Sequence, residues 1–96
     1  MKQSEKLVEK TLVSEIKKVG GLSIKMLVVN FAGFPDRLCL LPGGRAFFVE
    51  CKTTGRGADP IQKYVHEKLK RMGQLVFMCD STEDAKNIVR AVTEEY

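Results

Sequence analysis

The stretch GFPDRLCLLPGGRAFFVECK, residues 33–52, sets Asp36 behind a proline at the head of one apolar run and closes a second run with Glu50, Cys51 and Lys52. Two carboxylates and an ammonium are an unusual cost for a short strand-turn-strand, and together they define a chemistry. A divalent ion bridged by Asp36 and Glu50 can polarise a phosphoryl oxygen and lower the pKa of a bound water. Lys52 can orient that water, or stabilise charge on a phosphorane-like transition state as a compact point charge. The reaction described is phosphodiester hydrolysis, and hard oxygen ligands in this number suit Mg²⁺ or Mn²⁺ rather than zinc.

The spacing has a geometric meaning. Side chains alternate along a strand, so Glu50 and Lys52 share one face with Ala46 and Phe48, while Phe47, Val49 and Cys51 share the other. If Leu41 and Arg45 flank a three-residue turn, pairing runs along positions that sum to 86 and Asp36 lies opposite Glu50. Directly opposed residues have Cβ atoms roughly 4.5–5.5 Å apart, and like charges that close are unfavourable unless a cation lies between them. The Cys51 carbonyl points to the same edge as a further ligand, and Gln62, early in the next helix, can position the lysine or the water.

A third carboxylate is available from the first helix. A short Gly20-Gly21 link turns the first strand back along that helix, bringing the helix N-terminal half toward Asp36. Glu5 and Glu9 lie in that half and Glu15 at the wrong end. Periodicity puts Glu5 nearer the centre of the apolar stripe and Glu9 at its margin, which leaves both open.

The elements that must hold these groups are legible in outline. Ser4 caps a helix reaching about Val19, with Val8, Leu12, Ile16 and Val19 at helical spacing and Gly20-Gly21 as the stop. Ile24 to Val29 reads as a short, mostly buried strand, and Asn30 to Pro35 as a loop. Arg37 to Leu41 and Arg45 to Lys52 form a hairpin around Pro42-Gly43-Gly44. Thr53 to Asp59 is polar, carries two glycines and reads as mobile. Pro60 starts a helix capped by Asp59 and running to about Met72, Leu75 to Cys79 is a fourth strand, and Ser81 caps a last helix. The order predicts an α/β fold with a mixed sheet.

Composition sets the class. The 96 residues are enough for one domain, marginal in stability alone and helped by oligomerisation. At 44% hydrophobic and 29% charged the chain is globular rather than disordered, and its net charge of +4 suits a polyanion without requiring one. Cys39, Cys51 and Cys79 each lie in an apolar run and make no CxxC or zinc spacing, so reduced core thiols are expected. With no apolar signal region and no run of membrane-spanning length, a cytoplasmic protein is expected.

Pro35-Asp36 followed by Glu50-x-Lys52 resembles the PD-(D/E)xK nuclease superfamily, and GFPDR, the hairpin, VECK and a downstream Gln resemble more narrowly the VRR-NUC domains, virus-type replication and repair nucleases. The likeness runs from Ser4 to the last strand. It implies a restriction-endonuclease-like αβββαβ core, a mixed four-stranded sheet flanked by helices, with residues 1–96 as a single nuclease domain of the stand-alone phage or bacterial type. By similarity Asp36 and Glu50 are metal ligands for Mg²⁺ or Mn²⁺, Lys52 is the catalytic lysine and Gln62 an active-site residue. Archaeal Holliday-junction resolvases of the superfamily carry Glu-x-x-(Ile/Leu)-Val a fixed distance before a Gly. The stretch from Glu9 to Gly20 is similar, which favours Glu9 as the helix ligand with Glu5 as the alternative. Stand-alone VRR-NUC proteins dimerise and cut four-way junctions, whereas larger members cut flaps. The size of this chain therefore implies a homodimeric Holliday-junction resolvase acting in DNA repair.

Blander readings stand beside these. Asp36 alone is a common turn residue after proline, and Glu50 with Lys52 a common surface ion pair. Explaining all three together is harder for that reading. Arg37, Arg56 and Lys63 are the expected phosphate contacts. His66 shares a face with Gln62 but reads as a partner-satisfied or surface histidine, and Phe31 and Phe34 read as loop anchors. The last helix and the strand in QLVFMC are candidates for a dimer surface. A flap-, nick- or end-directed nuclease and a non-catalytic DNA-binding module are the competing functions.

Overall fold

The computed structural model describes residues 1–95. Ser4 opens the first helix, α1 (Glu5–Lys18), its hydroxyl accepting the Leu7 N–H at 3.2 Å, and Val8, Leu12 and Ile16 form its buried stripe. Each such side chain removed from water stabilises the fold by roughly 1.5–3 kcal/mol. After Gly20-Gly21 come β1 (Leu22–Lys25), β2 (Arg37–Leu41) and β3 (Arg45–Cys51), then α2 (Pro60–Arg71), β4 (Val76–Cys79) and α3 (Thr82–Glu95). The sheet order is β1-β2-β3-β4, antiparallel across the first three strands and parallel between β3 and β4. Parallel neighbours need a crossover, and α2 supplies it. This is the mixed four-stranded α/β sheet that the sequence implies.

The register of the hairpin decides the site, and it is the one read from the turn. Leu41 pairs with Arg45 and Arg37 with Val49, so partners sum to 86. Gly43 and Gly44 turn the chain with φ of 89° and 81°, a region open mainly to glycine. The odd-numbered side chains Phe47, Val49 and Cys51 join Cys39, Cys79, α1 and α3 in the main core. The even-numbered face carries Phe48, which packs with Phe34 against Val65, Leu69 and Val76 beneath α2. Glu50 and Lys52 share that second face and lie under the start of α2.

Two expectations are corrected. The first strand is Leu22–Lys25, not Ile24 to Val29, and it is an exposed edge rather than a buried strand. Met26 N–H still donates to the Asp36 carbonyl at 2.7 Å, but β2 offers no partner beyond that point. Leu27 and Val29 are left outside the sheet and exposed, and Asn30 adopts φ 69°. The stretch from Thr53 is also tied down at its start. Thr54 Oγ1 donates to the Asp80 carbonyl at 2.7 Å, and Gly55 N–H donates to Asp80 Oδ2 at 2.9 Å. The apolar residues of β4 and α3 are largely spent inside the chain: Val76, Cys79, Ala85, Ile88, Val89 and Val92 are buried.

Candidate active site

Asp36 reaches the sheet edge because Pro35 before it is fully buried and Gly33 brings the loop against α2. Gly33 has φ 85°, and a Cβ there would meet the Ile61 carbonyl oxygen at 2.7 Å, so only glycine permits this approach. Asp36 Oδ1 accepts the Cys51 N–H at 3.2 Å, which fixes the carboxylate at the exit of β3 beside Glu50. Burial holds the Asp36 carboxyl above its ordinary range. The Cys51 N–H opposes that rise, and the charges of Glu9 and Glu5 add to it.

Glu50 is 4% exposed. Its Oε2 accepts from Gln62 Nε2 at 3.0 Å and faces Lys52 Nζ at 3.6 Å. Its other oxygen, Oε1, is buried with no hydrogen-bond partner. Burial, then the charge of Asp36, pushes the Glu50 carboxyl up to about 7, against the pull of Lys52. A buried carboxylate oxygen without a donor, next to a second carboxylate, is what a bound cation would satisfy. The residues present therefore fit a divalent ion.

Gln62 works in two directions. Its Oε1 accepts the Asp59 N–H at 2.9 Å, capping α2, while its Nε2 holds Glu50. The side chain that starts the helix thus also orients the acid.

Glu9, on α1, lies on the same side as Asp36, but its carboxylate is engaged elsewhere. Arg37 Nε and Nη2 reach Glu9 Oε2 at 3.2 and 3.1 Å, and Lys25 Nζ reaches the same atom at 3.2 Å. Glu5 is exposed. Among the described residues, no three His, Cys, Asp or Glu side chains converge into a ready metal cage. Arg37, expected as a phosphate contact, is largely buried in this ion pair. Arg56 stays exposed, 3.7 Å from Asp59, and Lys63 is exposed on α2.

Sequence reasoning missed two residues. Lys25 became visible only with the true β1 register, which places it opposite Arg37. His66 is neither on the surface nor partner-satisfied: it is 5% exposed, its Nε2 has no partner, and burial, then Lys70 and Lys52, lower its pKa. It lines a cavity of about 480 Å³ with Gly57, Ala58, Lys63, Met78 and Asp80. Phe34 is the loop anchor expected, edge-on to Phe48 at 5.4 Å and to the half-exposed Phe31 at 5.9 Å.

No family model matches the chain. Known proteins do. The chain is 42% identical over 88 residues to a protein of Acyrthosiphon pisum secondary endosymbiont phage 1 named "Putative nuclease p44", covering 92% of this chain and 94% of that protein. Among solved structures, one described as a VRR_NUC domain superposes with a TM-score of 0.83 at 28% identity, over 98% of this chain and all of that one. Likeness at that level over nearly the full length, on a fold that sets Asp36, Glu50, Lys52 and Gln62 together at one sheet edge, means that the chain belongs to the VRR-NUC family of nucleases.

Proposed function

We propose that this DNA nuclease is a Mg²⁺- or Mn²⁺-dependent, structure-selective endonuclease whose preferred substrate is a four-way junction, cut by a homodimer. In this reading residues 1–96 act as one nuclease domain. The observation that carries the chemistry is the buried, donor-less Glu50 Oε1 beside Asp36, with Lys52 on the same face. Asp36, Glu50 and the Cys51 carbonyl would hold the ion, with Glu9 as the helix ligand and Glu5 as its alternative. The ion, when bound, supplies Lewis-acid polarisation of the phosphodiester and stabilises negative charge there.

The protein groups divide the remaining work. Lys52 is 8% exposed, so its charge is poorly screened and acts strongly on an anionic transition state nearby. Gln62 fixes the Glu50 rotamer from the rigid first turn of α2. Arg56 and Lys63, both exposed around the start of α2, supply phosphate contacts that position the DNA without reading its sequence. Arg37 is the third such group.

A second copy of the chain is the partner this reading requires, because paired cuts on a two-fold junction need two sites related by an isologous interface. Exposed apolar side chains support it: Leu22 and Ile24 lie on the edge strand β1, with its open backbone, and Leu27, Val29 and Phe31 are exposed in the segment that follows. Labelled four-way junction, flap and linear duplex incubated with the protein and Mn²⁺ separate the substrates, alongside a solution mass measurement. Paired symmetric nicks by a dimeric species support the proposal. Cutting of flaps or ends alone, or binding to all three without any cleavage, defeats it.

A further inference from the structure

We propose that Lys25 and Arg37 form a subsite for a backbone phosphate of the DNA, occupied in the free protein by the Glu9 carboxylate, and that DNA binding frees Glu9 to join the metal site. The inference rests on the metal-dependent reading above and adds a coupling between the two ligands.

The geometry starts from the sheet. Lys25 and Arg37 are directly opposed partners across β1 and β2, and Arg37 immediately follows Asp36. Two cations facing each other on neighbouring strands repel unless an anion lies between them. Glu9 is that anion. Three donors, Arg37 Nε at 3.2 Å, Arg37 Nη2 at 3.1 Å and Lys25 Nζ at 3.2 Å, converge on its single oxygen Oε2.

A guanidinium fork plus an ammonium fits a phosphate as well as a carboxylate. The accessibility also has the right order: the Lys25 side chain is 60% exposed, whereas Glu9 and Arg37 are each 13%. A phosphate arriving from solvent therefore meets Lys25 first and can take over Arg37. Because the cations adjoin Asp36, that phosphate belongs to the same strand neighbourhood as the bond to be cut.

Exchange leaves Glu9 as a mostly buried carboxylate beside Asp36 with its cations withdrawn, an arrangement that is costly unless another cation arrives. A divalent ion at Asp36 and Glu50 meets that demand, and Glu9 completes a set of three carboxylates that the free protein does not assemble. Coupling of this kind is reciprocal: if DNA strengthens metal binding, metal strengthens DNA binding by the same factor.

The test is calorimetric titration of Mn²⁺ into the full chain carrying Lys52→Ala, which keeps the DNA intact, with and without a short duplex whose own Mn²⁺ uptake is subtracted. Duplex is expected to tighten Mn²⁺ binding by roughly 5- to 150-fold. Adding the exposed substitution Lys25→Ala should tighten Mn²⁺ binding to the free protein and shrink the gain from duplex, and Glu9→Gln should abolish that gain. Lys25→Ala should also make the salt dependence of duplex binding shallower by about 0.9 in log–log slope, one phosphate contact. Mn²⁺ binding that Asp36→Ala abolishes but that Lys25→Ala leaves unchanged or weakens overturns the exchange alone. Mn²⁺ binding that Asp36→Ala does not alter in any arm overturns the metal reading, and the exchange with it.

Discussion

Glu50→Gln should make the metal-free protein more stable while removing its activity. Raising the Glu50 carboxyl from 4.5 to about 7 means that ionising it costs the folded state about 3 kcal/mol, at about 1.36 kcal/mol for each pH unit. The folded-state value lies above the unfolded one, so the native protein holds the extra proton between them. Stability therefore falls as pH rises from about 4.5 to about 7, and the full penalty is present above that window. Glutamine occupies nearly the same volume, keeps an oxygen for Gln62 Nε2 and carries no charge. At pH 8 the variant should gain about 2–3 kcal/mol, a rise in Tm of roughly 10–20 °C for a chain of this size. At pH 5 the gain should shrink below about 1 kcal/mol, because the native glutamic acid is already neutral there. Thermal unfolding in EDTA at the two pH values measures both. A variant less stable than its parent at pH 8, or a difference that does not change with pH, would show that Glu50 is not a strained, buried carboxylate.

Metal affinity should follow the same titration. Mn²⁺ must displace the Glu50 proton, so binding should weaken toward ten-fold per unit as pH drops below about 7, with protons released on binding at pH 6. Gln62→Ala should cost about 1–2 kcal/mol through the lost cap and Glu50 contact and shift the acid limb of the rate profile upward, since Glu50 loses a donor to its charged form. Gly33→Ala should destabilise by more than Gly44→Ala in urea unfolding. Both sit at positive φ, 85° and 81°, but only the first drives a Cβ into the Ile61 carbonyl; backbone strain alone costs about 1–3 kcal/mol.

The hairpin was the most legible part of the molecule. Turn length and strand alternation are local rules, and a three-residue Pro42-Gly43-Gly44 turn pairing Leu41 with Arg45 sends Phe47, Val49 and Cys51 into one core and Glu50 to the other face. The contact between Asp36 and the exit of β3 follows from it. The first strand was misread because Leu27, Val28 and Val29 have strand-like residue types, and residue type does not say whether a partner strand extends far enough to pair with them. Lys25 was missed for the same reason: its role depends on standing opposite Arg37 across that strand pair. The choice between Glu5 and Glu9 is settled by no periodicity, since both lie near the stripe, and the ion pairs of Glu9 arise from β1 and β2 rather than from α1 itself. His66 shows the same limit, because its burial depends on how α2 packs over the sheet.

Cleavage of a labelled four-way junction in Mn²⁺ by the wild type and by Asp36→Ala, each with junction binding measured in parallel, tests the central claim most directly. The account predicts paired nicks from the wild type that vanish in EDTA, and none from Asp36→Ala, although that variant still binds the junction. Undiminished cleavage by Asp36→Ala, or a wild type that binds the junction with Mn²⁺ present and leaves it whole, would contradict it.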